Sequence, residues 1–272
     1  MTLNNSDKKI FDEYIKNRFE NAKEISRTED DSLAFWDNII NYALIFGYAD
    51  ALNNKICPGH PTEFESPEKL NISIHESFAG KIAVISLGNT KDFENFCTNL
   101  AYGGVRPDNL ANTGAAFIHG NNVNFIIASN KPYSNVTAKE IGLDEEDWLN
   151  KSRLIRLEHE STHFFTKKTY GITNNILHDE VMADFMGIYE AFGYYKAELF
   201  LRFMGIIKGS GNRLGFYTKN LSDDVKSELA NLTKDVAYSL EKWSLTNDFL
   251  SMTKAERIKY MCKAGLSGLT RD

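Results

Sequence analysis

The residues of this chain best suited to chemistry stand in one run, "LIRLEHESTHFFTKKTYG", which holds His159, Glu160 and His163. Four positions separate the two histidines. If the run is helical, both imidazoles project from one face, about one turn apart. Two nitrogens so placed can share one tetrahedral Zn2+ ion. Glu160 then projects to the side, about 60° round from His163, where it can reach a metal-activated water without being a ligand. Two ligands and a general base on one rigid element is the logic of the H-E-x-x-H pattern.

A third ligand is needed, and the next helical run offers "HDEVMAD". Glu180 and Asp184 are four apart and share a face, with Ala183 and Gly187 on the same stripe. Small residues there let this helix approach the first closely and bring Glu180 to the metal. Asp184 would accept a hydrogen bond from a ligand histidine and hold its tautomer. His178 and Asp179 are rival ligands at the start of that helix, where Asp179 also suits the helix dipole. On the first helix, Ser152, Ile155, His159, His163 and Thr166 form one stripe. Leu154, Leu157, Phe164 and Phe165 lie opposite, so the spacing predicts a polar side facing a site and an apolar side facing a core.

"HESTH" followed by "DEVMAD" resembles the gluzincin, thermolysin-like branch of the zincin metallopeptidases over roughly residues 154–187. The metzincin continuation is absent, because Thr166 and Thr169 stand where Gly and His are required. The resemblance implies His159, His163 and Glu180 as Zn2+ ligands, Glu160 as base, Asp184 behind a histidine, and a peptide or protein as substrate. It also implies an edge strand against which an extended peptide pairs, and "GAAFIHGNNVNFIIASN" is in the right order to supply that strand as a hairpin. A downstream donor for the oxyanion is implied too. Tyr170, His178, Tyr189, Arg213 and Tyr217 are candidates, and Tyr217, in "NRLGFYTKN", is the choice.

These residues need a scaffold. Phe11, Tyr14, Ile15, Arg18 and Phe19 follow a helical period, and a second pattern runs from about Asp31 to Leu52. "CPGHPTEFESP" breaks the chain, "NISIHES" and "KIAVISLG" read as strands, and "TKDFENFCTNLAYGG" reads as a helix ending on glycines. The motif helix begins after Asp144, an N-cap followed by acidic residues, and the next begins near Leu177. Helical patterns fill most of the rest. The order predicts an α+β fold, mostly helical with a small mixed sheet and an edge hairpin. The zincin resemblance divides it into an N-terminal helical segment at 1–55, a catalytic core at 56–195 and a C-terminal helical subdomain at 196–272.

Composition narrows the alternatives. The 272 residues carry a net charge of −6 without a basic block, which argues against nucleic-acid binding. No apolar run reaches the length of a membrane span, and the polar start lacks a signal core, so a cytoplasmic protein is expected. Three scattered cysteines make no disulfide framework. Cys57 and His60 in "CPGH" read as a turn, the rival reading being a thiolate latch on the zinc or part of a second metal site. Outside peptidase chemistry, the chain reads as a zinc-binding scaffold without turnover or as an interaction protein.

Overall fold

A computed structural model describes residues 3–25, 32–108, 110–120, 123–174 and 176–270. Its centre is a four-stranded sheet of β1 (Leu70–Ser77), β2 (Gly80–Leu87), β3 (Ala115–Gly120) and β4 (Val123–Ser129). The order is β1-β2-β4-β3, with β2 and β4 parallel and the outer strands antiparallel to them. The inner strands are covered on both faces, which is why they read as almost unbroken apolar runs. Ile82, Val84, Ile126 and Ala128 point into one core. Their neighbours Ala83, Ile85, Leu87, Phe125 and Ile127 point into another. β3 is an edge strand, and Gly120 pairs with Val123 across the hairpin. The turn residues expected there, Asn121 and Asn122, lie outside the described residues.

The second core is closed by α2 (Ser32–Phe46), α3 (Tyr48–Ala51) and α4 (Thr90–Tyr102). The larger core holds the motif helix α6 (Glu145–Tyr170) and α7 (Leu177–Phe192). Around them pack α1 (Asn5–Tyr14), the short α5 (Ala138–Ile141), α8 (Ala197–Met204), α9 (Leu214–Tyr217), α10 (Asp223–Trp243), α11 (Asn247–Ser251) and α12 (Lys254–Gly268). The fold is thus mixed α+β and mostly helical. Among the described residues no helix is long and apolar enough to cross a membrane.

The caps of α6 follow from its sequence. Asp144 accepts a hydrogen bond from the Asp147 backbone, acidic residues occupy the first turn, and Lys167 and Lys168 occupy the last. Gly171 ends the helix at φ 72°, in the left-handed region that glycine adopts without a Cβ penalty.

Three expectations are corrected. The periodic run through Phe19 is helical only to Tyr14; Phe19 is buried in a turn, against Tyr170 and His178, so its spacing records burial rather than helix. The run from Asp31 to Leu52 is split at Gly47, whose φ of 92° separates α2 from α3, and Asp31 lies outside the described residues. Finally, α6 is not two-sided. Residues 155–166 are buried all the way round, while Leu154, assigned to the core, is 46 % exposed. Phe164 packs on Phe117 of β3, Phe165 packs on Phe78 between β1 and β2, and Glu158 meets Lys254 of α12.

The crossing of α6 and α7 sets the position of everything that follows. A Cβ on Gly187 would lie 2.7 Å from the Ile155 carbonyl oxygen and 3.0 Å from Ile155 Cγ2. A backbone oxygen cannot rotate away, so a larger side chain must push the helices apart. Gly187→Val is expected to lower stability by about 1–3 kcal/mol, the usual cost of overpacking. Urea unfolding checks this; an unchanged midpoint would show that the crossing tolerates a side chain.

Candidate metal centre

The crossing brings His159 and His163 of α6 opposite Glu180 of α7. Their donor atoms all lie within 4.8 Å of one another, and all three side chains are buried. The two Nε2 atoms are 3.1 Å apart, Glu180 Oε2 is 3.5 Å from His159 Nε2, and Oε1 is 3.6 Å from His163 Nε2. Two donors each 2.0–2.1 Å from a tetrahedral ion stand about 3.3 Å apart, so the triangle fits zinc. Two imidazoles and one carboxylate are also a donor set that zinc accepts.

Behind the triangle lies a fully buried carboxylate, Asp184, one turn along α7 from Glu180. Its Oδ1 is 2.8 Å from His159 Nδ1. The pairing places the proton on Nδ1 and leaves Nε2 facing the triangle. Tyr133 donates to the same Oδ1 at 2.5 Å. Arg213 joins both carboxylates: Nη1 donates to Asp184 Oδ1 and Oδ2 at 2.7 and 2.6 Å, and Nη2 donates to Glu180 Oε2 at 2.6 Å. Tyr217 also donates to Glu180 Oε2, at 2.7 Å. That leaves Oε1 of Glu180 as the oxygen less engaged by hydrogen bonds.

Burial would favour the neutral form of every group here, and the pairings decide which are charged. At Glu180 burial is overcome by His159, His163 and Arg213, which hold its carboxyl well below the usual range. Asp184 is likewise lowered, against burial, by Arg213 and His159. His159 is raised to about 10, because Asp184 and Glu180 outweigh burial. His163 is held at about 4 by burial and by its charged neighbour His159. A positive charge on one ring therefore opposes one on the other, and a metal cation between them would take the place of that charge. Glu160 is pushed up to about 7 by burial. It lines a cavity together with Phe117 of edge strand β3.

The expected residues divide cleanly by position. His159, His163, Glu180, Asp184, Glu160 and Tyr217 come together. Arg213, weighed as an oxyanion donor, instead bridges the two α7 carboxylates. The rival ligands point elsewhere: His178 Nε2 meets the Met261 carbonyl, and Asp179 accepts from the Asn174 backbone. Tyr170 packs on Phe19, and Tyr189 packs on Phe185 and Phe249. Cys57 lies in the second core with its thiol on the His60 carbonyl, which fits the turn reading. Tyr133 was missed, because a lone tyrosine in "NKPYSN" has no periodic signal. Arg156 was missed too, although its spacing of four to Glu160 and seven to His163 places it on their side of the helix.

This cavity of about 560 Å³ opens on the triangle and is lined by Gly114 and the run from Ala115 to His119 of edge strand β3, with Glu160, Arg156, Tyr133 and Tyr217.

The fold and site define an α+β protein with a buried His-His-Glu cluster built on two crossed helices. The chain belongs to a family of unknown function, DUF7005, whose model matches residues 49–124 and 122–272. No curated protein and no solved structure matches the chain.

The network makes Arg213 the counter-charge of two buried carboxylates. Arg213→Met should therefore cost about 3–5 kcal/mol of stability, the range for stranding buried charge. Chemical denaturation without added metal checks it. A loss of under about 1 kcal/mol, as for a solvent-screened pair, would contradict this role.

Proposed function

We propose that the protein is a zinc-dependent peptidase with a zincin-like fold. The observation that carries this reading is the triangle of His159, His163 and Glu180, with Glu160 beside it in a cavity walled by an edge strand. Zinc held by those three side chains supplies Lewis acidity, polarising a carbonyl and acidifying a water. Glu160 takes the proton from the attacking water and returns it to the leaving amine.

The other residues hold this arrangement in place. Asp184 orients His159, and Tyr133 and Arg213 hold Asp184. Tyr217 lines the cavity beside Glu180 and is the donor we assign to the oxyanion; its single O–H turns to the oxyanion by leaving Glu180 Oε2, which Arg213 still holds. The edge of β3 pairs with an extended peptide, whose main chain then runs past Glu160. The substrate is accordingly a peptide or an exposed protein segment.

Elemental analysis of protein purified without a histidine tag should find about one zinc per chain, with His163→Ala losing it. Glu160→Gln should keep the zinc and lower peptide hydrolysis by about 10²–10⁴-fold, the usual share of a general base. No metal in the wild type after zinc is supplied would overturn the reading. Zinc without hydrolysis of any peptide in a broad library would leave a metal-binding scaffold instead.

Asp184→Asn should weaken zinc binding by about 10–100-fold, as removal of a partner behind a ligand does. Competition with a chromophoric chelator measures it; wild-type affinity would remove Asp184 from the metal's support.

A further inference from the structure

The cavity contains a second feature that peptide hydrolysis as such does not use. Arg156 is only 3 % exposed, one helical turn before Glu160. Its Nη2 donates to the Pro132 carbonyl at 3.0 Å, and its guanidinium carbon lies 5.6 Å from the centre of the Tyr133 ring. Among the described residues, Nε and Nη1 have no hydrogen-bond partner. A buried cation with unpaired donors is costly unless something pairs with it.

Arg156 is among the residues that line the cavity, although its unpaired atoms are themselves buried. A Cβ on Gly114 would stand 2.6 Å from Arg156 Nε, so only a glycine can pack its backbone this close to that edge of the guanidinium. Ser134 lines the same cavity, and its buried Oγ also lacks a partner among the described residues. Ser134 and Asn135 have φ of 53° and 58°, a conformation that residues with side chains rarely adopt, and such strain collects at binding sites. Lys131 adds a second buried cation to the lining, tied to the Ala111 carbonyl at 2.8 Å, with Glu94 3.8 Å away.

A group that pairs with a guanidinium N–H and a hydroxyl, beside two cations, is an oxyanion, and the oxyanion that an ordinary peptide carries is a carboxylate. Position then limits which carboxylate. Four residues of helix rise about 6 Å, close to two residues of extended peptide. We propose that Arg156 and Ser134 form a carboxylate subsite, so that preferred substrates carry a carboxylate within about two residues of the scissile bond. The carboxylate is either the peptide's free C-terminus or an acidic side chain. This inference rests on the peptidase reading for its substrate, but the subsite can be tested by binding alone.

The test uses full-length, zinc-loaded Glu160→Gln protein and calorimetric titration with N-acetyl tripeptides in three forms. These are the free acid, the neutral C-terminal amide, and the amide with glutamate as its last residue. At least one carboxylate form should bind about 10–100-fold tighter than the neutral amide, the worth of hydrogen bonds to a charged group. Adding Arg156→Gln should abolish the difference, and Ser134→Ala, a milder change, should reduce it. A preference for the free acid assigns the C-terminus, and a preference for the glutamate amide assigns a side chain. Equal binding of all three forms overturns the subsite. Hydrolysis by the wild type is measured alongside: turnover without any preference between acid and amide removes the subsite and leaves the peptidase. A binding preference with no turnover of these peptides or of the broad library removes the peptidase and leaves the carboxylate site.

Discussion

The site depends on how closely α6 and α7 can approach. Where they cross, Gly187 lies against the Ile155 backbone with no space for a side chain. Ala183, one turn earlier, is fully buried in the same stripe. Helices this close let one-turn spacing on each side become contact across the gap. His159 and His163 on one helix meet Glu180 on the other, and Asp184 falls behind His159 rather than beside it. A wider crossing would leave the same four residues in the same order along the chain without bringing their donor atoms together.

Close packing creates an electrostatic demand that the two helices do not meet alone. Glu180 and Asp184 are both buried and both charged, on one face of α7. The N-terminal end of α7 favours negative charge near Glu180, but a helix dipole acts mainly within its first turn. Arg213 supplies the rest. Its planar fork spans two carboxylates at once, a geometry that a lysine ammonium cannot reproduce. Tyr133 completes the set, donating to Asp184 while accepting from Arg213 at 2.9 Å.

Much of this was legible in the sequence, for a definite reason. Residues that act through one helix are related by fixed angles, so His159, Glu160 and His163 could be placed from spacing alone. Glu180 and Asp184 followed the same rule, and the small residues beside them pointed to the crossing. The strands were legible because burial on both faces of β2 and β4 leaves unbroken apolar runs. The failures share a cause: apolar spacing reports that a residue is buried, not which element buries it. Phe19 kept the helical period after the helix had ended, and α6, enclosed on all sides, has no single apolar face to detect. Tyr133 comes from a loop, and its place beside Asp184 is set by contacts 51 residues away along the chain. Arg213 was visible as a residue, but its role depends on two carboxylates some thirty positions earlier.

The reach of Arg213 also bears on the order in which the molecule can be made. A chain synthesised from its N-terminus has both histidines, Glu160 and the two carboxylates of α7 before position 213 exists. Until the segment carrying Arg213 docks, those carboxylates have no guanidinium between them, so burying α7 against α6 carries a charge penalty. The short α9 that follows Arg213 is held in turn by the oldest part of the chain, through the Tyr14 hydroxyl on the Tyr217 carbonyl at 3.0 Å. The first helix and the segment around Arg213 and α9 are thus tied to each other beside the site. Newly made protein therefore passes through a stage in which both histidines, Glu160 and the two carboxylates of α7 are present but the cluster is still open, and it closes only when residues 213–217 dock.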